Sequence, residues 1–289
     1  MLQHPSEFQA LTSVIQRNHM AKAGVEAAIW DLHAKKKGIP LYQAIGGKTS
    51  QVEVGAAIGI QKDTRTLLDK IQQAINVGYK RIKLKIAKGH DIEVVDAVRH
   101  SFPSLELMVD ANGAYTINDM EHLRQLDQYQ LLMIEQPLAS DDLVDHARLQ
   151  EELTTPICLD ESIHTLADVR TAIALGSCQI ISMKLGKCGG FTNAIAMHDE
   201  CAKHGIPVWC GGMLEAGIGR AQSLALATLP NFRFPADTGA SSRYWHQDII
   251  QPEVEVKDGI ITLPESPGIG YNIDEAVISE YRIEQRVVQ

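Results

Sequence analysis

The amino-acid sequence predicts an α/β protein centred on a TIM-like (β/α)7β barrel. Three observations carry this expectation. From about residue 52 onward, eight short β-rich apolar runs alternate with seven helical patterns, the signature of a parallel sheet wrapped by helices. The chain's 289 residues suit one large core, because α/β barrels reach about 250 residues without dividing. Five consecutive runs end in ionisable residues, and barrel enzymes collect their chemistry at those strand ends.

The eight runs span 52–59, 81–86, 106–111, 132–137, 156–161, 178–185, 207–214 and 232–239. Between them lie segments with helical spacing, such as Leu67, Ile71, Ala74 and Ile75 after the first, and Ala194, Met197 and Cys201 after the sixth. Eight strands with seven helices suggest a closed barrel over residues 51–245 rather than an open doubly wound sheet. The first fifty residues read differently. Asn18 suits the cap of a helix that carries Ala23, Ala27, Trp30 and Ala34 and stops at Gly38-Ile39-Pro40. Past the eighth run, 253–256 and 260–263 flank Lys257-Asp258-Gly259, a hairpin signal. No Pro- or Ser-rich linker separates either end from the barrel, so residues 1–50 and 246–289 are expected to pack together as a cap on it.

Composition narrows the function. A net charge of −9 argues against nucleic acid as a partner, since phosphate binding needs clustered Lys and Arg. The one basic run, Lys35-Lys36-Lys37, reads as a solvated helix end ahead of Gly38. No apolar run approaches the roughly 20 residues that span a bilayer, and the opening Met1-Leu2-Gln3-His4-Pro5 is no secretory signal. The expectation is a cytoplasmic protein with no membrane partner, a homo-oligomer being left open; the strand-end residues point to a small-molecule carboxylate substrate. The five cysteines form no CxxC pair and read as reduced, mostly buried thiols.

The chemistry lies in the strand ends. Lys83 and Lys85 stand on the second run, Asp110 on the third, Glu135 on the fourth, Asp160 with Glu161 on the fifth and Lys184 on the sixth. Steps of 25 residues separate Lys85, Asp110, Glu135 and Asp160, and 24 separate Asp160 from Lys184, which suggests one residue per βα unit in a single ring. A lone Asp at a strand end is most often a cap or a loop charge. Three carboxylates at one barrel mouth are different, because like charges resist joint ionisation unless a cation neutralises them. With oxygen donors only, Asp110, Glu135 and Asp160 favour Mg2+, or Mn2+, over zinc. Lys83 and Lys85 are two apart on a strand and share a side. Their repulsion, with a metal nearby, is expected to leave one amine neutral. The second and sixth strands are four apart in a ring of eight, so Lys85 and Lys184 should face each other across the mouth. A carboxylate substrate held there would lose its α-proton to one lysine, the metal stabilising the enediolate. None of the eleven histidines falls at a ring position, and nothing marks Cys188 or Cys210 as a nucleophile.

These residues reach a known family. Lys83-Leu84-Lys85, Val109-Asp110-Ala111-Asn112, Ile134-Glu135-Gln136-Pro137, Leu159-Asp160-Glu161-Ser162 and Met183-Lys184-Leu185-Gly186 resemble the enolase superfamily. Lysines on the second and sixth strands resemble its muconate lactonizing enzyme subgroup. The mandelate racemase subgroup would place a His on the seventh strand, where this sequence has Trp209-Cys210-Gly211-Gly212. Gly211-Gly212-Met213-Leu214-Glu215 through Arg220, and Phe234-Pro235-Ala236-Asp237 through Trp245, are similar to the branch holding o-succinylbenzoate synthases and N-succinylamino acid racemases. Dipeptide epimerases would carry a second Asp at Gly239.

The resemblance implies Lys85 and Lys184 as the acid/base pair and Asp110, Glu135 and Asp160 as the Mg2+ ligands. Lys83, Asn112 and Glu161 would support substrate or tune a lysine. Gly211 and Gly212, with Met213, either permit a tight turn or let backbone N–H groups approach a succinyl carboxylate, and Arg220 reads as a helix charge. The implied reaction is dehydration of 2-succinyl-6-hydroxy-2,4-cyclohexadiene-1-carboxylate in menaquinone biosynthesis, with racemisation as the alternative and an inactive fragment as a third. Full members open with further residues of the capping domain, so the resemblance implies a partial, N-terminally truncated α+β cap.

Overall fold

The computed structural model of the protein describes residues 2–286. Its strands are β1 (Gln51–Glu53), β2 (Ala56–Ile58), β3 (Ile82–Lys85), β4 (Leu107–Asp110), β5 (Ile134–Glu135), β6 (Ile157–Leu159), β7 (Ile180–Met183), β8 (Val208–Cys210), β9 (Ile250–Gln251), β10 (Ile260–Thr262) and β11 (Asn272–Ile273). Strands β2 to β8 form one parallel sheet in sequence order, each neighbour reached through a helical crossover. Such strands are covered on both faces, which explains the all-buried Leu107–Asp110 and Ile180–Met183.

The eighth barrel position is filled differently from expectation. Residues 232–239 form no strand, only the bridges Val208↔Phe232 and Val54↔Ala236. Pro235 has no N–H to donate, which interrupts any ladder there. The ring nevertheless closes, because Arg233 N donates to Val208 O (2.9 Å) and Asp237 N to Cys210 O (2.9 Å) on one side. On the other, Ala236 N donates to Glu53 O (2.9 Å) and Gly55 N to Ala236 O (2.8 Å). The first run, 52–59, is also divided: β2 joins the barrel while β1 leaves it to pair with β10.

Period-two alternation fills the barrel in layers. Met108, Met133, Cys158, Ile180 and Trp209 form a buried cluster of their own, one residue from each of five strand segments. Two positions further along four of these segments come Asp110, Glu135, Asp160 and Ser182, all buried. An apolar plug therefore floors a polar layer. The remaining core packs between sheet and helices, with Ile82, Leu84, Val109, Ile134 and Ile181 facing outward.

At the chain ends, the helix His19–Lys37 buries Ala23, Glu26, Ala27, Trp30 and Ala34 and ends at Gly38, which takes the left-handed C-cap conformation. Asn18 does not cap it as expected. Its backbone is left-handed (φ 54°) and its side chain donates to Gln16 O instead. The turn at Lys257-Asp258-Gly259 forms, with Asp258 and Gly259 both at positive φ. Its partner segment 253–256 is not a strand, because β10 finds β1 rather than its own hairpin arm. Strands β9 and β11 pair antiparallel. Met1 and residues 287–289 of the expected cap lie outside the described residues.

Candidate active site

The polar layer opens at the carboxyl ends of the strands. Hydrogen-bond register puts Lys85 opposite Asp110 and Asp110 opposite Glu135. Glu135, however, stands opposite Cys158, two residues before Asp160, and Cys158 stands opposite Ile180, four before Lys184. The near-equal sequence spacing is thus not one level of the sheet. Strand tilt staggers the register, and the residues climb along successive strands as the barrel turns.

Each lysine is tied to a carboxylate. Lys85 Nζ donates to Asp110 Oδ2 (2.6 Å) and Asn112 Oδ1 (2.5 Å), and Asn112 Nδ2 donates to Glu161 Oε1 (2.9 Å). Asn112 reaches this position with a left-handed backbone (φ 44°), held by its N–H on Asp110 Oδ1. Across the mouth, Lys184 Nζ donates to Asp160 Oδ2 (2.5 Å). Burial would lower the Lys184 pKa, but the Asp160 charge outweighs it and the ammonium is favoured. The structure thus brings Lys83, Lys85, Asp110, Asn112, Glu135, Asp160, Glu161 and Lys184 to one mouth.

Mutual repulsion was expected to leave one of Lys83 and Lys85 neutral, and Lys83 is not that one. It is buried among Asp110 (2.9 Å), Glu135 (2.7 Å) and Asp237 (3.2 Å). Burial pulls its pKa down, yet those three carboxylates raise it well above the usual lysine value. Asp237 is in turn held by Arg81 Nη2 (2.5 Å), and Arg81 and Lys83 both lie over the Trp209 ring. Burial alone would raise the Asp237 pKa; the two cations take it far below the carboxylate range.

Glu135 is the odd member. It is fully buried, and although Lys83 stands close, neither of its oxygens accepts a hydrogen bond. Burial is the main cause that pushes its pKa up to about 8, with Lys83 opposing. Lys83 offsets the charge from the Oε2 side only, and a further cation would complete the surroundings of this buried carboxylate. All-oxygen donors and this orphaned carboxylate fit a hard divalent ion. Among the described residues no three acidic, His or Cys side chains converge at metal-holding distance; Asp110 and Asp160 turn to ammonium groups instead.

Gly211 and Gly212 begin the loop after β8, and close approach explains both. A Cβ on Gly211 would strike Lys184 and Ser182 side chains, and one on Gly212 the Asp237 carbonyl. Met213 lies in the same loop, with its sulfur beside Gly186. Several residues that matter here were not singled out from the sequence. Lys187, one helical turn beyond Lys184, is buried and bonds both Asp160 Oδ1 and the Asp160 carbonyl. Its i+3 spacing was the available signal. The pairing of Arg81 with Asp237 spans 156 residues, so no local pattern announces it. Arg220 is no surface helix charge: it is buried and donates to Gly239 O (2.7 Å) and Glu215 O (2.9 Å), tying two mouth loops together.

Residues 66–277 match the family described as enolase C-terminal domain-like, and residues 4–46 match the N-terminal domain of the mandelate racemase / muconate lactonizing enzyme family. The chain belongs to the enolase superfamily. Within this superfamily the chain is 54% identical to an o-succinylbenzoate synthase of Geobacillus kaustophilus, over 97% of this chain and 75% of that protein. It is 45% identical to an N-succinylamino acid racemase of Thermus thermophilus, over 99% of this chain and 77% of the relative. A solved enolase-superfamily structure from Listeria innocua superposes with a TM-score of 0.95 at 47% identity, covering 97% of this chain and 76% of its own. No helix among the described residues is long and apolar enough to cross a membrane.

Proposed function

We propose that this chain is an o-succinylbenzoate synthase, a hydro-lyase that dehydrates 2-succinyl-6-hydroxy-2,4-cyclohexadiene-1-carboxylate to 2-succinylbenzoate for menaquinone biosynthesis. The observation that carries the reading is a pair of amines, Lys85 and Lys184, at opposite positions of one barrel mouth with buried carboxylates on the arc between them. Enolase-superfamily enzymes depend on a divalent metal. Here Asp110, Glu135 and Asp160 would hold it, as Mg2+ or Mn2+, and when bound it supplies positive charge against the carboxylate and its enediolate.

Lys85 acts as the base. Its Nζ takes the α-proton, the C–H electrons move into the carboxylate to form an enediolate, and collapse of that species expels the ring hydroxyl. The same Nζ returns the proton to the departing oxygen, so water leaves and the ring becomes aromatic. Lys184, kept as an ammonium by Asp160, stabilises the developing charge from the opposite face. Asn112 and Glu161 orient Lys85, while Lys83 stays charged and neutralises the floor of the site. Gly211, Gly212 and Met213 line the approach of the succinyl arm.

Racemisation of N-succinylamino acids is the second reading. It is favoured by the same opposed amines, which can exchange protons on both faces of an α-carbon. A cytoplasmic setting goes with either. The test is ultraviolet detection of aromatisation by the purified chain, with Mg2+ and after chelation. Turnover that returns with Mg2+ is expected; turnover that persists without metal would contradict the mechanism.

A further inference from the structure

The proposed mechanism makes no use of one buried carboxylate outside the barrel. Glu26 is only 2% exposed, on the helix His19–Lys37, where it faces the barrel rather than solvent. Its carboxylate lies at the N-terminus of the 13-residue helix Phe191–Lys203, with both oxygens 3.3–3.4 Å from Thr192 N. Burial raises its pKa, and what opposes this is the Thr192 hydroxyl and the Thr192 and Phe191 amides rather than any cation. An anion suits a helix N-terminus, but here it arrives from a different element, 166 residues away.

That helix begins just after Lys184. Lys184 is the N-cap of the short helix Leu185–Cys188, whose end returns through Gly189 and Gly190 into Phe191–Lys203. Three glycines in this segment face the His19–Lys37 helix or its first turn. A Cβ on Gly186 would touch Met20, one on Gly189 would press on the His19 ring, and one on Gly190, at φ 117°, would collide with the Glu26 carboxylate. The segment has no side chains of its own at these points to fix it. Cys188 N donates to Lys184 O (2.9 Å) and Asn193 Nδ2 to Cys188 O (2.7 Å), so two hydrogen bonds link the start of the helix to the Lys184 backbone.

We infer that Glu26 is a positioning residue for Lys184: it anchors the helix Phe191–Lys203 to the cap helix and thereby sets where the Lys184 amine stands. The inference rests on the proposed two-lysine site. It predicts an effect confined to one face of the substrate, since Lys85 is carried by β3 and by contacts that Glu26 does not reach.

The experiment follows deuterium uptake at the α-carbon of N-succinyl-D-phenylalanine and N-succinyl-L-phenylalanine, using the full chain with Mg2+ in D2O. Lys184→Ala identifies the enantiomer whose proton faces Lys184. Glu26→Ala should slow exchange of that enantiomer at least tenfold while leaving the other within about twofold. Glu26→Gln, which keeps an acceptor oxygen for Thr192 N, should recover much of the loss, and it reads the same ratio should Glu26→Ala fail to fold. Equal slowing of both enantiomers, or a ratio unchanged in both variants, would overturn the inference. Wild-type protein that exchanges neither enantiomer would instead sink the two-faced proton exchange of the racemisation reading, on which this inference rests, while the dehydration reading would stand.

Discussion

The buried charges at the mouth depend on one another. Arg81, Lys83, Asp110, Glu135 and Asp237 form a continuous network with almost no solvent access. Removing one partner leaves a buried charge uncompensated, a loss of about 3–5 kcal/mol. Arg81→Ala should therefore lower the thermal midpoint by many degrees, measured by calorimetry, even though Arg81 lies below the proposed reacting groups; an unchanged midpoint would contradict the network. The residue types at the strand ends were legible because a period-two strand followed by an acid or a lysine is a local pattern. The protonation state was not. The strong preference of Lys83 for its charged form depends in part on Asp237, which enters the site only when the chain's eighth segment closes the ring.

The loops after β3 and β4 are stapled outside the mouth, and this element carries a pH dependence. Asp91, the cap of the helix Ile92–Ser101, accepts from Tyr115 Oη (2.7 Å) and pairs with His122 Nε2 (2.8 Å), while Lys88 pairs with Asp119 (2.6 Å). Burial would raise the Asp91 pKa, but Tyr115, His122 and the Ile92 amide outweigh it and hold it below the ordinary value. A depressed folded pKa means stability that is present above the unfolded value, near pH 4, and lost as pH falls through the folded one. Thermal midpoints should drop below about pH 4, and Tyr115→Phe should flatten that drop; an equal slope in both proteins would remove Asp91 from the account. At this scale the strand order was readable from alternation and length. The failures have specific causes: Pro235 breaks the eighth ladder, and β10 pairs with β1, a partner more than 200 residues away that turn chemistry cannot announce.

Across the whole molecule, the cap helix meets the barrel through Glu26, and Tyr42 Oη donates to Glu265 to tie the two chain ends to each other, so the ends and the centre stabilise each other. In the proposed reading, Glu135 couples that stability to metal. At a free Mg2+ concentration 100 times its Kd, binding should add about 2.7 kcal/mol. This gives a rise of several degrees in midpoint over chelated protein, and a Glu135→Gln variant should lose most of it. No Mg2+ shift in the wild type would contradict the carboxylate assignment. The overall (β/α)7β plan was legible because eight runs and seven helical segments admit few arrangements, whereas the stagger around the ring was not, since equal sequence spacing conceals strand tilt. The central claim is that Lys85 and Lys184 carry the proton chemistry of a metal-dependent dehydration. Its most direct test is the turnover of Lys85→Ala and Lys184→Ala on the cyclohexadiene substrate, with Mg2+ binding measured on the same samples. The account predicts a loss of about 10²–10⁴-fold in each with metal binding retained, and wild-type turnover in either variant would contradict it.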